Sequence, residues 1–217
     1  MERWFGLISG LFLNALGNAL SVSGNMGSGV WTASAVNLSK WTGLSIGIFL
    51  FINGFLNALT NQVLIRRFDW KRFLNEMIFI CFFSYFIDFF VQIFDLLGIG
   101  RLPIILRAAI SCLGITFFCM GISLYQRANI VMHPNDDTTN ILRFLYLKGS
   151  ATRSQLIDFV PPILVMIVSF IFTRHLYSVG IATLYSILFN GFIIRTADEF
   201  LWPHLEHNFR QKVGPQQ

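Results

Sequence analysis

The chain has 217 residues, of which 54% are hydrophobic and only 12% are charged, and its formal net charge is +5. Soluble domains carry roughly 25% charged residues, so this composition excludes a soluble globule and predicts a polytopic membrane protein. The basic residues lie between apolar stretches, where they orient a protein in the bilayer, and no nucleic-acid partner is expected.

Apolar stretches of about 20 residues, the length that crosses a bilayer, recur along the chain. They predict six transmembrane helices at residues 5–22, 43–64, 73–97, 103–125, 156–174 and 178–201. Arg3 before the first stretch also fits a signal peptide, but Asn14 and Asn18 interrupt its apolar core and an equivalent stretch recurs inside the chain. The sequence thus predicts an all-α protein with one integral membrane domain over residues 1–217, ending in a cytoplasmic tail at 202–217.

The opening of the chain recurs after 104 residues. Arg3, Gly10, Gly17, Leu20 and Asn25 recur as Arg107, Gly114, Gly121, Leu124 and Asn129. The match continues at a slightly larger offset, with Gly43 on Gly149. Each unit (residues 3–97 and 103–201) holds three spans, and because three is odd, the second unit must enter the membrane from the opposite side. Two inverted repeats of this kind are a common plan of secondary transporters.

Lys and Arg residues are distributed unevenly about the six spans. With the N-terminus inside, eleven lie in segments on the inner side and three in loops on the outer side. The outer three are Lys40, Arg101 and Arg174. Because positive residues favour the cytoplasmic side, both termini are predicted to be cytoplasmic, and the chain is expected in the cell membrane as a multi-pass protein.

A polar connector with a short helix follows the first span of each unit. The first connector, residues 28–42, is small and apolar with Lys40 near its end. In the second, Pro134 suits the first position of a helix, and Asp136 and Asp137 suit its first turn, where carboxylates meet the positive end of the helix dipole. Each connector either lies on the membrane surface as an amphipathic helix or re-enters the membrane to line a cavity.

These features resemble the YczE/YyaS/YitT-like bacterial integral membrane proteins, and most closely their YczE and YyaS branch, over roughly residues 3–200. The resemblance rests on the Gly-rich first helix, the sequence TGLSIG at 42–47 and FID at 86–88. That family carries a Gly-x-x-Pro-Trp-Asp-like motif after the first helix. The segment after the first helix, residues 27–32, keeps Gly27 and Trp31 with Val30 and Thr32 in place of Pro and Asp. The second connector keeps Pro134 and Asp136 but lacks the Gly. The resemblance implies a six-helix membrane fold and no settled substrate.

Several side chains inside the spans are small or polar. The glycines Gly10, Gly17, Gly114 and Gly121 place two small residues on one face of each first helix, which predicts close helix packing. Polar stripes at helical spacing predict either interhelical hydrogen bonds or a polar pathway between the helices. The candidate pathway or binding residues are Asn53, Asn57 and Asn61 on the second span, Ser84, Asp88 and Gln92 on the third, Asn190 on the sixth, and Pro134 and Asp136 of the second connector.

Asp88 and Arg107 are predicted to form an ion pair. At about 1.5 Å per residue, Asp88 lies roughly 8 Å and Arg107 about 6 Å from the outer face, and a short loop joins their spans. An unpaired charge at that depth would cost several kcal/mol. The pair would act either as a structural clamp or as a titrating gate.

The sequence favours no enzyme, metal or cofactor site. The four His residues lie in loops or in the tail, and there is no metalloprotease or phosphate-binding motif. Cys81, Cys112 and Cys119 lie inside apolar stretches without a CxxC spacing, so neither a disulfide framework nor a metal site is expected.

Two functions remain open. The first is a small-solute transporter or permease with its pathway between the inverted repeats, and a water-filled cavity lined by Asn53, Asn57 and Asp88 would favour it. The second is a membrane accessory factor that assists another membrane or biosynthetic system. A solidly packed bundle would favour it, and so does the small number of charges expected in the spans, namely Asp88, Arg107 and Arg195. The expected partners are the lipid bilayer and an unidentified small solute, with homo-oligomerisation left open.

Overall fold

The computed structural model of the chain describes residues 1–44 and 46–209, without the side chains of residues 46, 47, 81, 82, 84, 85 and 88. The all-α expectation is confirmed, since 79% of the chain is helical and no strand occurs in the described part. The helices of these residues are α1 (Glu2–Gly24), α2 (Val30–Thr42), α3 (Ile46–Leu64), α4 (Trp70–Leu96), α5 (Ile104–Ala128), α6 (Pro134–Ile141), α7 (Ala151–Asp158), α8 (Val160–Thr173) and α9 (Ile181–Phe200).

Each predicted span coincides with one of these helices, with α7 and α8 together forming the fifth, and each predicted connector contains one helix, α2 or α6. The boundaries follow local chemistry. Asp69 caps α4 by accepting the backbone N–H of Arg72 at 3.1 Å, and Ser150 caps α7 in the same way. Asn25 and Asn129 end α1 and α5 in the left-handed conformation, which Asn tolerates better than most residues.

Helix α1 and helix α5 cross at their glycines. A Cβ atom built on Gly17 would lie 2.4 Å from the carbonyl oxygen of Gly114, and one built on Gly10 would lie 2.9 Å from that of Gly121. The two backbones therefore touch directly, as small residues allow in helices that pack within lipid. The four glycines for which the sequence predicts close helix packing all lie at this crossing.

The connector helices pack across the molecule rather than against their own unit alone. Helix α2 lies along α8, and α6 lies along α3. Helix α6 is polar in sequence and yet buried on nearly every side, so it is enclosed by protein. A π-helical turn, Leu142–Tyr146, follows α6.

The distribution of side chains is the reverse of that in a soluble bundle. The buried face of α1 holds Gly10, Asn14 and Gly17, whereas Phe5 and Phe12 are more than half exposed. Large apolar side chains are exposed along much of the outer surface. Three helices of the described part are long and apolar enough to cross a membrane: Glu2–Gly24, Ile104–Ala128 and Ala151–Thr173, the last formed by α7 and α8 together.

Candidate functional site

A cavity of about 360 Å³ lies at the centre of the helices, where the N-terminal ends of α2 and α6 both reach it. Its polar lining consists of Asn14, Asn18, Thr32, Asn53, His133, Asn135, Asp136, Gln155, Asp158, Ser186 and Asn190. Its aromatic lining consists of Trp31, Phe51, Phe83, Phe118 and Phe159. A cavity with apolar walls and a few convergent polar groups is the usual form of a small-molecule site.

Helix α6 brings Asp136 to the cavity because α3 holds its first turn. Pro134 is the first residue of α6, where its missing N–H costs nothing, and its carbonyl accepts the side-chain amide of Asn61 at 3.0 Å. The Thr138 hydroxyl lies 2.7 Å from the Asn61 amide oxygen and can donate to it. Tyr125 of α5 donates its hydroxyl to the Asp136 carboxylate. The carboxylate is thus fixed from two sides.

The protonation states of Asp136 and His133, at the N-terminal end of α6, follow from their burial in the protein. Burial raises the pKa of Asp136 to about 7; the Tyr125 hydroxyl opposes this shift and the charge of Asp137 adds to it. Burial also lowers the pKa of His133 to about 4, so its imidazole is neutral at physiological pH. At this end of the cavity, Asp136 is therefore the group that titrates near neutral pH.

The second carboxylate of the cavity lies at a break between α7 and α8. Pro161 and Pro162 lack the N–H groups that would bond the carbonyls four residues earlier, so the helix is interrupted at Phe159. Asp158 is the last residue before this break and is 5% exposed. The indole N–H of Trp31, on α2, donates to its Oδ2 at 2.7 Å. This bond joins the first connector to the fifth predicted span.

Three cavity-lining side chains carry buried polar atoms without a hydrogen-bond partner among the described residues. They are Nδ2 of Asn53, Oδ1 of Asn135 and Oγ of Ser186. Leaving such an atom unpaired costs about 1–3 kcal/mol, so native proteins rarely leave one without water or a ligand. The cavity therefore offers unused donors and acceptors on α3, α6 and α9.

The predicted polar residues divide between the cavity and its support. Asn53, Asn190 and Asp136 line the cavity. Asn57 and Asn61 instead hold α6 against α3 through Thr138. One end of the stripe on the second span therefore faces the cavity, and the other end makes interhelical hydrogen bonds.

The stripe on the third span is only partly visible. The side chains of Ser84 and Asp88 lie outside the described residues, and with them the predicted pair between Asp88 and Arg107. Arg107 donates to the carbonyl of Gly100 at 3.3 Å and contacts the sulfur of Met26 at 3.5 Å. Gln92 is exposed on α4, away from the cavity.

The sequence count of charges within the spans was too low. Asp158 lies inside the predicted fifth span and Glu76 inside the third, where Glu76 is 2% exposed and accepts the Asn61 amide at 2.8 Å. Placing every His in a loop also understated His133, which lines the cavity. The missed signal was a carboxylate three residues before a Pro-Pro pair in an otherwise apolar stretch.

A second polar cluster surrounds Asp198 at the end of α9. Its carboxylate accepts Arg143 at 2.7 Å, Ser123 at 2.7 Å and His207 at 3.1 Å, and Arg127 lies 3.5 Å away. Arg127 also donates to the carbonyls at the C-terminal end of α9. These contacts fasten the tail to the helices, so we treat the cluster as structural. No group of three or more potential metal ligands occurs among the residues that the structure describes.

Comparison with known proteins identifies a family whose function is unknown. A family model described as "Family of unknown function (DUF6198)" matches residues 1–199. Neither a curated protein nor a solved structure matches the chain.

Proposed function

We propose a function from the site itself, because the chain belongs to DUF6198, a family of unknown function whose model covers residues 1–199. The protein is a multi-pass membrane transporter or permease for a small solute, and its pathway runs through the central cavity. Its six spans form two inverted repeats with both termini in the cytoplasm. The proposal includes that the chain shares this architecture with the YczE and YyaS membrane proteins that its sequence resembles.

The crossing of α1 and α5 supports the inverted repeat. Gly10 packs on Gly121, and Gly17 packs on Gly114. At the offset of 104 residues, Gly10 is equivalent to Gly114 and Gly17 is equivalent to Gly121. The two contacts are therefore the same contact with the two units exchanged. A local two-fold axis between antiparallel, equivalent helices produces this exchange, because each contact is then repeated with the two units swapped.

The connectors support the same relationship. Val30 and Pro134, again 104 residues apart, are the first residues of α2 and α6. Each connector packs on the second span of the other unit, α2 on α8 and α6 on α3. The α6 helix is enclosed by protein, which favours a re-entrant segment over one lying on the membrane surface. Short helices whose N-terminal ends reach a central site are typical of transporters built from inverted repeats.

The observation that carries the proposal is the cavity. It lies between the two units and contains buried polar atoms that lack partners. A protein that only assisted another system would not need such a space, and filling it with apolar side chains would stabilise the bundle.

Gly29 allows a direct test of the pathway. It lines the cavity, a Cβ atom added to it meets nothing within 4 Å, and its φ of −55° suits any residue. Gly29→Phe should therefore fill the cavity without displacing the helices. Thr60→Phe on the exposed face of α3 is the matched control, since it adds an aromatic ring outside the cavity.

The assay is uptake of a panel of radiolabelled amines, amino acids, sugars and carboxylates by purified protein in lipid vesicles. Transport of at least one solute by the wild type and by Thr60→Phe, with loss in Gly29→Phe, is the expected result. If folded wild-type protein transports nothing across the panel, or if Gly29→Phe transports as well as the wild type, the pathway is wrong. The first of these results would leave the accessory-factor function.

A further inference from the structure

We propose that the cavity binds a small organic cation, with its ammonium group between Asp136 and Asp158 and its apolar part against the aromatic walls. This inference deepens the proposed function, because it names the class of solute for the same site.

The charge of the lining points to a cation. The two acidic residues of the described lining are Asp136 and Asp158, and no Lys or Arg is present in it. Their nearest donors, the Tyr125 hydroxyl and the Trp31 indole, are neutral and do not balance a carboxylate charge. Among the described residues neither carboxylate takes part in a salt bridge. A buried carboxylate without a counter-charge is stabilised by a bound cation or by a proton.

The helix ends do not reverse this preference. The N-terminal end of a helix attracts anions, but α6 already carries Asp136 and Asp137 in its first turn. The positive end of the α6 dipole therefore already interacts with carboxylates of the protein itself. At the α2 end, the Trp31 indole N–H is already used by Asp158. An anionic solute would face both carboxylates at close range.

The apolar walls select an organic cation over a metal ion. Trp31, Phe51, Phe83, Phe118 and Phe159 present their rings to a space of about 360 Å³. A bare alkali ion would leave most of that space empty and would need more oxygen ligands. An alkylammonium group gains cation–π attraction from such rings.

Unpaired polar atoms supply the remaining contacts. The Oδ1 atom of Asn135, on a residue that is 6% exposed, is an acceptor suited to an ammonium N–H or a solute hydroxyl. The Oγ atom of Ser186, on a residue that is 1% exposed, can donate or accept. A solute with one cationic end and one hydroxyl would use both kinds of group.

Three probes of nearly equal shape separate charge from size. Choline carries a trimethylammonium group, 3,3-dimethylbutan-1-ol has a carbon in place of that nitrogen, and 3,3-dimethylbutanoate carries a negative charge. Titration calorimetry on the full chain in detergent micelles at pH 8 should give binding of choline at least about tenfold tighter than binding of the neutral alcohol, with no binding of the anion. A potassium chloride titration tests the bare ion. If the alcohol or the anion binds as tightly as choline, or if potassium alone gives the signal, the inference is wrong.

Variants then locate the site. Asp158→Asn should weaken choline binding by about tenfold or more, and Trp31→Leu by about 5- to 30-fold, from the lost charge and the lost ring. Asp95→Asn, which removes an exposed carboxylate on α4, is the matched control and should bind like the wild type. Each variant is first compared with the wild type by size exclusion and thermal unfolding. If Asp158→Asn does not fold, Asp136→Asn carries the same expectation, and unchanged affinity in the folded carboxylate variant contradicts the site.

The two proposals fail in different ways. If the vesicle panel shows transport of a neutral solute but choline does not bind, the cation site is wrong and the transporter stands. If choline binds at the cavity but no solute crosses the membrane, the cation site stands and the transporter is wrong.

Discussion

The crossing of α1 and α5 gives the sharpest prediction about stability. In Gly17→Ala the new Cβ would lie 2.4 Å from both the Gly114 oxygen and the Phe118 nitrogen, whereas ordinary contacts begin at 3.4 Å. The helices would therefore have to separate by about 1 Å, because both atoms belong to the backbone and cannot rotate away. Overpacking of this kind costs about 1–3 kcal/mol, and the better helix propensity of Ala returns about 1 kcal/mol. We expect a net loss of about 2 kcal/mol at most.

The matched control is Gly54→Ala on α3. There the added Cβ meets the end of the Ile80 side chain at 2.6 Å, and that end can rotate away. Unfolding in mixed micelles can be followed with a thiol-reactive dye on Cys119, which is 0% exposed, after Cys81 and Cys112 are replaced by Ser. Gly17→Ala should unfold at a lower denaturant concentration than both the wild type and Gly54→Ala. Equal stability of the two Ala variants would refute the direct backbone contact.

Three further predictions concern single side chains. Asp198→Asn removes the carboxylate that two buried arginines share, so it should lower the free energy of unfolding by about 3–5 kcal/mol. Arg195→Gln breaks a pair whose side chains are 70% and 53% exposed and should cost less than about 1 kcal/mol. Unfolding titrations that show equal losses for the two variants would contradict this contrast. Thr138→Val should cost about 1–3 kcal/mol, because it leaves the buried Asn61 amide oxygen on α3 without its donor at 2.7 Å, and Thr60→Val on the exposed face is the control. Because burial raises the pKa of Asp136 to about 7, its carboxylate becomes neutral on acidification, and the affinity for choline should fall between pH 8 and pH 6. Calorimetry that shows a rise in affinity, or the same fall in Asp136→Asn, would contradict this.

The sequence predicts the helices well because they depend on local patterns. Apolar length defines the spans, and the glycine spacing on α1 and α5 defines the face on which they meet. Asn25 and Asn129 mark helix ends through their own conformational preference. The break at Phe159 was missed, although Pro161 and Pro162 signal it, because the apolar run continues through them.

The site was predicted only in part because contacts between distant segments create it. Spacing along α3 groups Asn53 with Asn57 and Asn61, but only the packing of α6 decides which of them face the cavity. The bond from Trp31 to Asp158 joins residues 127 positions apart, and neither residue has a local pattern that names the other. Periodicity thus identifies the faces of a helix, whereas the partner of each face is a property of the fold.

The two halves contribute unequally to the cavity. Thr32 and Asp136 are each the third residue of a connector helix and both line the cavity, yet one is neutral and the other acidic. Asp158 also comes from the second half, while the first half supplies Asn side chains and the Trp31 indole. If the scaffold is a symmetric inverted repeat, its electrostatic field is not symmetric. A bound organic cation would therefore turn its charged end toward the second half, and the negative pole of the cavity would stay with that half whichever side of the membrane it opens to.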